Sequence, residues 1–197
     1  MNRLSKLLHE WQEWSRSADQ SEDGWESSFP RWSELIEAAL ERMKSPPDRE
    51  ALELIARCWA MSEEDETLLD KVRSQNRVFW PFMKSLSTFE DARVRWQIYA
   101  AVTREDEEGL ALVRFGIKDK DPYVQRRALL SLARLHAPES ANLAKELCKH
   151  ADPYLRQVSL MLAYNAGDSG LVEAIKSQLE NDPVEHVRVF LTRGQYV

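Results

Sequence analysis

The chain has 197 residues, 43% hydrophobic and 30% charged, which is enough for one extended domain with a sizeable core and too polar for a membrane protein. No apolar run approaches the ~20 residues of a transmembrane helix. Cys58 and Cys148 stand 90 residues apart with no CxxC or Cys/His spacing, which excludes a small disulfide scaffold and offers no zinc site.

With only 6 Gly, no strongly alternating β-branched segments, and Leu, Ala, Glu, Arg and Lys dominating the long periodic runs, the composition predicts an all-α protein. The net charge of −6 is unevenly spread. Residues 10–66 carry 6 basic and 16 acidic side chains, whereas 67–104 carry 7 and 3, so the acidity sits at one end.

The first helix is expected from Leu4 to Ala18, with Leu4, Leu7, Leu8 and Trp11 on one face. Its apolar stretch is broken by Ser5, Lys6, His9 and Glu10, so it lacks a signal-peptide core, and the expected location is cytoplasmic. Residues 19–28 are polar, acidic and aperiodic and read as a loop. Pro30 opens the next helix, whose Trp32, Leu35, Ile36, Ala39, Leu40 and Met43 define one apolar stripe, and Pro46 and Pro47 end it. Asp48 is placed to cap a third helix and Ser62 a fourth, with Glu63, Glu64, Asp65 and Glu66 in that fourth helix's first turn, where the dipole favours carboxylates. Residues 76–87 are apolar and contain Pro81, which is expected to start or kink a short helix.

Beyond that point the chain repeats. Asp121-Pro122-Tyr123-Val124 returns as Asp152-Pro153-Tyr154-Leu155 and again as Asp182-Pro183-Val184, 31 and then 30 residues further on. Each Asp is a good N-cap, and each Pro suits the first helical position, where no N–H is needed. Asp91-Ala92-Arg93-Val94 aligns 30 residues earlier, so Asp91, Asp121, Asp152 and Asp182 are read as structural caps of four copies. A second helix is expected in each unit at about 106–118, 138–150 and 169–181, while the last copy has room for one helix, a C-terminal cap over 182–197. The organisation predicted is a divergent helical region, 1–87, continuous with repeats over 88–120, 121–151 and 152–181.

Asp-Pro-x-Val/Leu with Arg close behind, as in Asp152-Pro153-Tyr154-Leu155-Arg156 and Asp182 to Arg188, resembles the short bacterial HEAT-like repeat over about 88–193. The resemblance implies an α-α superhelix of antiparallel helix pairs and says little about activity. Arg156 and Arg188, at a repeated position, are expected to pair with an Asp of a neighbouring unit, a ladder that fixes register.

The HEAT class includes enzymes, among them iron-dependent deoxyhypusine hydroxylases, which hold two metals with several His-Glu pairs. This chain has one such pair, His9-Glu10, and scattered His136, His150 and His186, so no metal site and no cofactor are predicted. No Gly-rich phosphate loop, nucleophile elbow or Ser/His/Asp order is discernible, and no catalytic residue is assigned.

Three readings of function stay open. The leading one is a non-catalytic protein-binding scaffold. All seven Trp fall in the first half of the chain; Trp11, Trp32 and Trp59 read as core, whereas Trp25 lies among Glu22, Asp23 and Glu26 with no apolar stripe, an expected anchor for a basic protein partner. The second is nucleic-acid binding through the basic middle, Lys71, Arg73, Arg77, Lys84, Arg93 and Arg95, as the similar architecture of HEAT-like alkylpurine DNA glycosylases implies. The acidic first third opposes it. The third is an acidic immunity or antitoxin protein facing a basic toxin.

Overall fold

The computed structural model describes residues 2–21 and 23–193, Arg193 by its backbone alone. Every regular element among them is helical. None of these helices is long and apolar enough to cross a membrane. The chain divides into two compact units, Met1–Thr103 and Arg104–Val197. That division falls after the helix that follows Asp91.

The first unit holds α1 (Arg3–Ser15), a short 3₁₀ turn (Trp25–Ser28), α2 (Trp32–Met43), α3 (Arg49–Met61), α4 (Thr67–Ser74), α5 (Asn76–Leu86) and α6 (Ala92–Ala101). Helix α1 packs on α2 and α3, and α6 packs on α3, α4 and α5. Every residue of α6 from Val94 to Ala101 is buried. A helix surrounded on all sides must satisfy its polar side chains internally. Gln97 accordingly donates from Nε2 to the Trp59 carbonyl at 2.8 Å, and the Tyr99 hydroxyl donates to the Ser87 carbonyl at 2.9 Å. Asn76, at the start of α5, donates to the Ala101 carbonyl at 2.7 Å and so closes the far end of α6.

Two local expectations are corrected here. Residues 63–66 do not enter a helix: they form a turn, Glu66 has φ 50°, and α4 starts at Thr67. The cause is Asp65, which accepts from the Thr67 amide (3.1 Å), the Thr67 hydroxyl (2.8 Å), the Ser62 hydroxyl (2.9 Å) and Trp32 Nε1 (2.8 Å). Those bonds hold the turn open ahead of the helix. The Ser62 hydroxyl still serves α4, accepting from the Leu68 amide at 3.1 Å. Pro81 does not start its helix; it lies inside α5, on the exposed side.

The second unit holds α7 (Glu107–Gly116), α8 (Pro122–Arg134), α9 (Ser140–Leu147), α10 (Pro153–Asn165), α11 (Ser169–Leu179) and α12 (Glu185–Arg193). Helix-pair packing is regular. Helix α7 lies on α8, α9 on α10 and α11 on both α10 and α12, while α10 also touches α8 and α12, and α9 touches α11. We call α8, α10 and α12 the first helices, since an Asp-Pro pair opens each.

Each Asp-led start is satisfied locally. Asp91 accepts from the Arg93 amide at 2.9 Å, Asp121 from Tyr123 at 2.8 Å, Asp152 from Tyr154 at 2.8 Å and Asp182 from Val184 at 2.9 Å. Pro122 and Pro153 occupy the first turn, where a missing N–H costs nothing. One turn in, a buried apolar residue is followed by a long polar side chain that folds back to the preceding loop: Val94-Arg95, Val124-Gln125, Leu155-Arg156 and Val187-Arg188. Arg95 donates to the Phe89 and Glu90 carbonyls (2.9 and 2.7 Å), Gln125 to Asp119 (2.6 Å), and Arg156 to His150 and Ala151 (2.7 and 2.9 Å). Arg188 does the same to the Asp182 carbonyl. The repeat therefore carries its own clasp on the loop that enters it.

Between neighbouring pairs the expected Arg–Asp link forms at Arg156 and Asp182, at 2.6 and 2.8 Å. Arg188 uses the backbone instead. A comparable link joins α7 to the start of α9, where Arg114 donates to both Glu139 oxygens at 2.6 and 3.2 Å.

Candidate protein-interaction surfaces

Two surfaces gather chemically distinctive side chains, one in each unit. The first-unit surface is an acidic corner. Gly24 has φ 74°, a left-handed conformation that a glycine adopts without penalty, and it turns the chain into the 3₁₀ segment. A Cβ added there would sit 3.6 Å from the Glu64 Cβ, so the loop carrying Asp23 and Glu26 lies against the turn carrying Glu63 and Glu64. Glu63 accepts from Trp96 Nε1 at 3.0 Å. Arg93 pairs with Asp91 at 2.7 Å, and its charge is further stabilised by Glu63 and Glu26. Two acidic stretches far apart in the chain thus meet. Asp23 and Glu64 are exposed, while Glu26 and Glu63 are half-buried. Glu22 lies outside the described residues.

Trp25 requires a correction. It is not a bare anchor at a loop tip but half-buried, stacked on Trp11 and Trp14 with centroids 5.8 Å away in both cases and planes inclined by 30° and 23°. Phe29 extends the cluster, 5.4 Å from Trp14. The loop is folded against α1 because three indoles cover more apolar area together than any of them covers alone. The remaining expected core tryptophans divide: Trp59 is fully buried and Trp32 is 8% exposed, its indole N–H directed at Asp65, whereas Trp11 is half-buried in the stack.

The second-unit surface is a strip that crosses all three first helices. The residue just before the buried apolar position is Tyr123 in α8, Tyr154 in α10 and His186 in α12. Tyr123 and Tyr154 are 40% and 47% exposed. The Arg126 guanidinium lies between them, 4.7 Å from the Tyr123 ring centroid and 4.4 Å from that of Tyr154. Tyr154 stacks in turn on His186, centroids 4.8 Å apart and 28° between planes. Gln157 donates to the His186 carbonyl at 3.0 Å. Beside this contact is a cavity of about 280 Å³ lined by Tyr154, Gln157, His186, Val189 and Phe190.

In the sequence, Asp-Pro-Tyr is legible as a helix start, whereas nothing local marks its tyrosine as exposed. The recurrence of an aromatic in that register was the available clue, and the role of Arg126 was not visible because it depends on a neighbouring helix.

The residues expected to contact nucleic acid differ in exposure and partners. Arg95 is corrected outright: it is 4% exposed and its guanidinium is spent on loop carbonyls. Arg93 is paired with Asp91, and Arg73 with Asp70 at 3.2 Å while also reaching the Ala100 carbonyl at 3.4 Å. Lys71, Arg77 and Lys84 are exposed.

His136 and His150 serve helix ends and turns. His136, with φ 49°, meets the Asn165 carbonyl through Nδ1 at 3.1 Å, and His150 Nδ1 accepts from the Asp152 amide at 3.0 Å. Among the described residues no three His, Cys, Asp or Glu side chains are grouped to hold a metal ion. Cys58 is wholly buried, and that burial pushes its thiol up to about 12.

Residues 109–189 match the family model for HEAT repeats. No curated protein and no solved structure matches the chain. The matched segment opens within α7, closes within α12 and spans the helix pairs between them, so this part of the chain is similar to HEAT repeats in both sequence and helix-pair packing.

Proposed function

We propose that the chain is a non-catalytic, protein-binding repeat module, and that its partner docks on the strip formed by Tyr123, Arg126, Tyr154 and His186. The observation that carries this reading is the stacked ladder itself. Tyr and Arg are the side chains that interfaces favour, because each buries much area while losing little conformational freedom, and here stacking across three helices holds them in place before any partner arrives. In this reading the helix pairs of the second unit form an antiparallel superhelix that α12 closes. Cys58 and Cys148 are free buried thiols, which fits a reducing, cytoplasmic setting.

The acidic corner supports a second surface, for a basic partner, because Asp23, Glu26, Glu63 and Glu64 converge there. An immunity-type role against a basic protein would use that corner. The test is affinity capture from the source cell, run in parallel with wild type, Tyr123→Ser/Tyr154→Ser, and Asp23→Lys/Glu64→Lys. A protein retained by wild type and lost from the tyrosine variant supports the strip. Loss only from the charge-reversed variant moves the interface to the corner, and equal capture by all three refutes both.

A further inference from the structure

Resting on the reading of the strip as a protein surface, we infer that its occupant is an acidic peptide segment, one that places a carboxylate on Arg126 and a neighbouring apolar side chain in the cavity beside His186. Three features make the argument. Arg126 has no hydrogen-bond or ion-pair partner among the described residues; its contacts are the two tyrosine rings. Arg31, Arg93, Arg104, Arg114 and Arg156, by contrast, each have a carboxylate. A guanidinium held by its faces keeps its N–H donors, which lie in the ring plane, directed outward, and that edge matches a carboxylate in a two-point hydrogen bond.

The second feature is the cavity. Its walls combine Tyr154, Val189 and Phe190 with the polar Gln157 and His186, and Val189 is 37% exposed, so the floor accepts an apolar side chain of modest size. It shares Tyr154 with the Arg126 clamp. One extended segment therefore reaches both positions.

The third feature separates a peptide from a nucleic acid. A polyanion requires many phosphate contacts to hold it at physiological salt. Residues 104–197 carry 13 basic and 14 acidic side chains, so this unit offers no excess of positive charge. A single unpaired guanidinium next to an apolar cavity suits one carboxylate in an apolar context and not a phosphate track.

The experiment is fluorescence anisotropy with the full-length chain and three labelled probes: a short peptide of alternating Glu and Leu, its counterpart of alternating Gln and Leu, and a single-stranded oligonucleotide. The acidic peptide is expected to bind about ten-fold or more tightly than the Gln peptide, with the margin narrowing as salt is raised. Arg126→Gln should abolish that margin, and Arg126→Lys should restore only part of it, since an ammonium keeps the charge and loses the planar fork.

Val189→Glu, which leaves Arg126 untouched and alters an exposed position, should repel the acidic peptide while the circular dichroism melt stays at the wild-type value. Equal binding of the two peptides, with both lost in Tyr154→Ser, overturns the acidic specificity and leaves the protein surface standing. No binding of either peptide overturns both. Tighter binding of the oligonucleotide, dependent on Arg126, overturns the inference in favour of nucleic acid.

Discussion

Arg156 and Asp182 join two consecutive repeats through a pair of parallel hydrogen bonds, Nε and Nη2 to the two carboxylate oxygens at 2.6 and 2.8 Å, with side chains only 11% and 4% exposed. The same two residues also fasten local structure: Arg156 holds the loop before its own helix, and Asp182 holds the Val184 amide. Removing one partner leaves a buried charge uncompensated. Asp182→Asn is expected to destabilise the protein by about 3 kcal/mol, as for other broken buried pairs, measured by urea denaturation at neutral pH.

The pair also sets a pH dependence. The Arg156 guanidinium holds the Asp182 carboxyl below the usual carboxylate range, despite the opposing effect of burial. A group whose folded value is depressed contributes stability that is fully present above its unfolded value of about 4 and is lost as pH falls through the folded one. The stability gap between wild type and Asp182→Asn should therefore be constant near neutrality and close progressively in acid. A gap independent of pH down to the acid transition would show that Asp182 is not the titrating partner.

How much of this was legible in the sequence follows from how local each interaction is. The starts of α8 and α10 could be read because an Asp cap and an N1 proline act within one turn. The start of α4 could not, because Asp65 is held by Trp32, 33 residues away, and a tertiary bond outweighs a first-turn dipole preference of a few tenths of a kcal/mol. Trp25 looked solitary because its neighbours in sequence are acidic, while its real neighbours are on α1. The strip was half visible, as a tyrosine repeated in register, and Arg126 acquires meaning only when α8 and α10 are side by side.

The cap and the core of one repeat make separable contributions. Asp152→Ala loses the acceptor for the Tyr154 amide and is expected to cost about 1 kcal/mol. Leu162→Ala opens a cavity at a fully buried position and is expected to cost roughly 2–5 kcal/mol. Thermal melts of the two variants should rank in that order; the reverse order would mean that the interior of α10 relaxes around the lost side chain.

Gly109 tests the entry into the second unit. It is buried in the first turn of α7, and a Cβ built on it would lie 2.1 Å from the Arg104 carbonyl oxygen and 2.8 Å from its carbonyl carbon, both backbone atoms that cannot swing aside. The chain is held there by Arg104, which pairs with Asp106 at 2.6 Å while Asp106 accepts the Gly109 amide at 3.0 Å. Gly109→Ala gains helix propensity of about 1 kcal/mol, yet the overlap requires the backbone to shift, and overpacking of this kind costs typically 1–3 kcal/mol. The expected result is net destabilisation in chemical denaturation. A melt raised above wild type would show that the turn before α7 yields freely.

The stacked indoles give the last prediction. Trp25 touches both Trp11 and Trp14 and closes the loop over α1. Each aromatic pair contributes about 0.5–1.5 kcal/mol beyond area burial, so Trp25→Ala should cost roughly 1–3 kcal/mol and remove the exciton signal of the coupled indoles from the circular dichroism spectrum. The loss should reach the acidic corner as well, because the 3₁₀ turn that begins at Trp25 also carries Glu26, and Gly24 lies against Glu64. If a basic partner uses that corner, Trp25→Ala should slow its association, because charges held on a freed loop no longer add to one field. Trp25→Phe, which retains stacking with a smaller ring, should restore most of the stability and the on-rate together. Recovery of stability without recovery of the on-rate would separate the aromatic stack from recognition and show that the indole itself is what the partner meets.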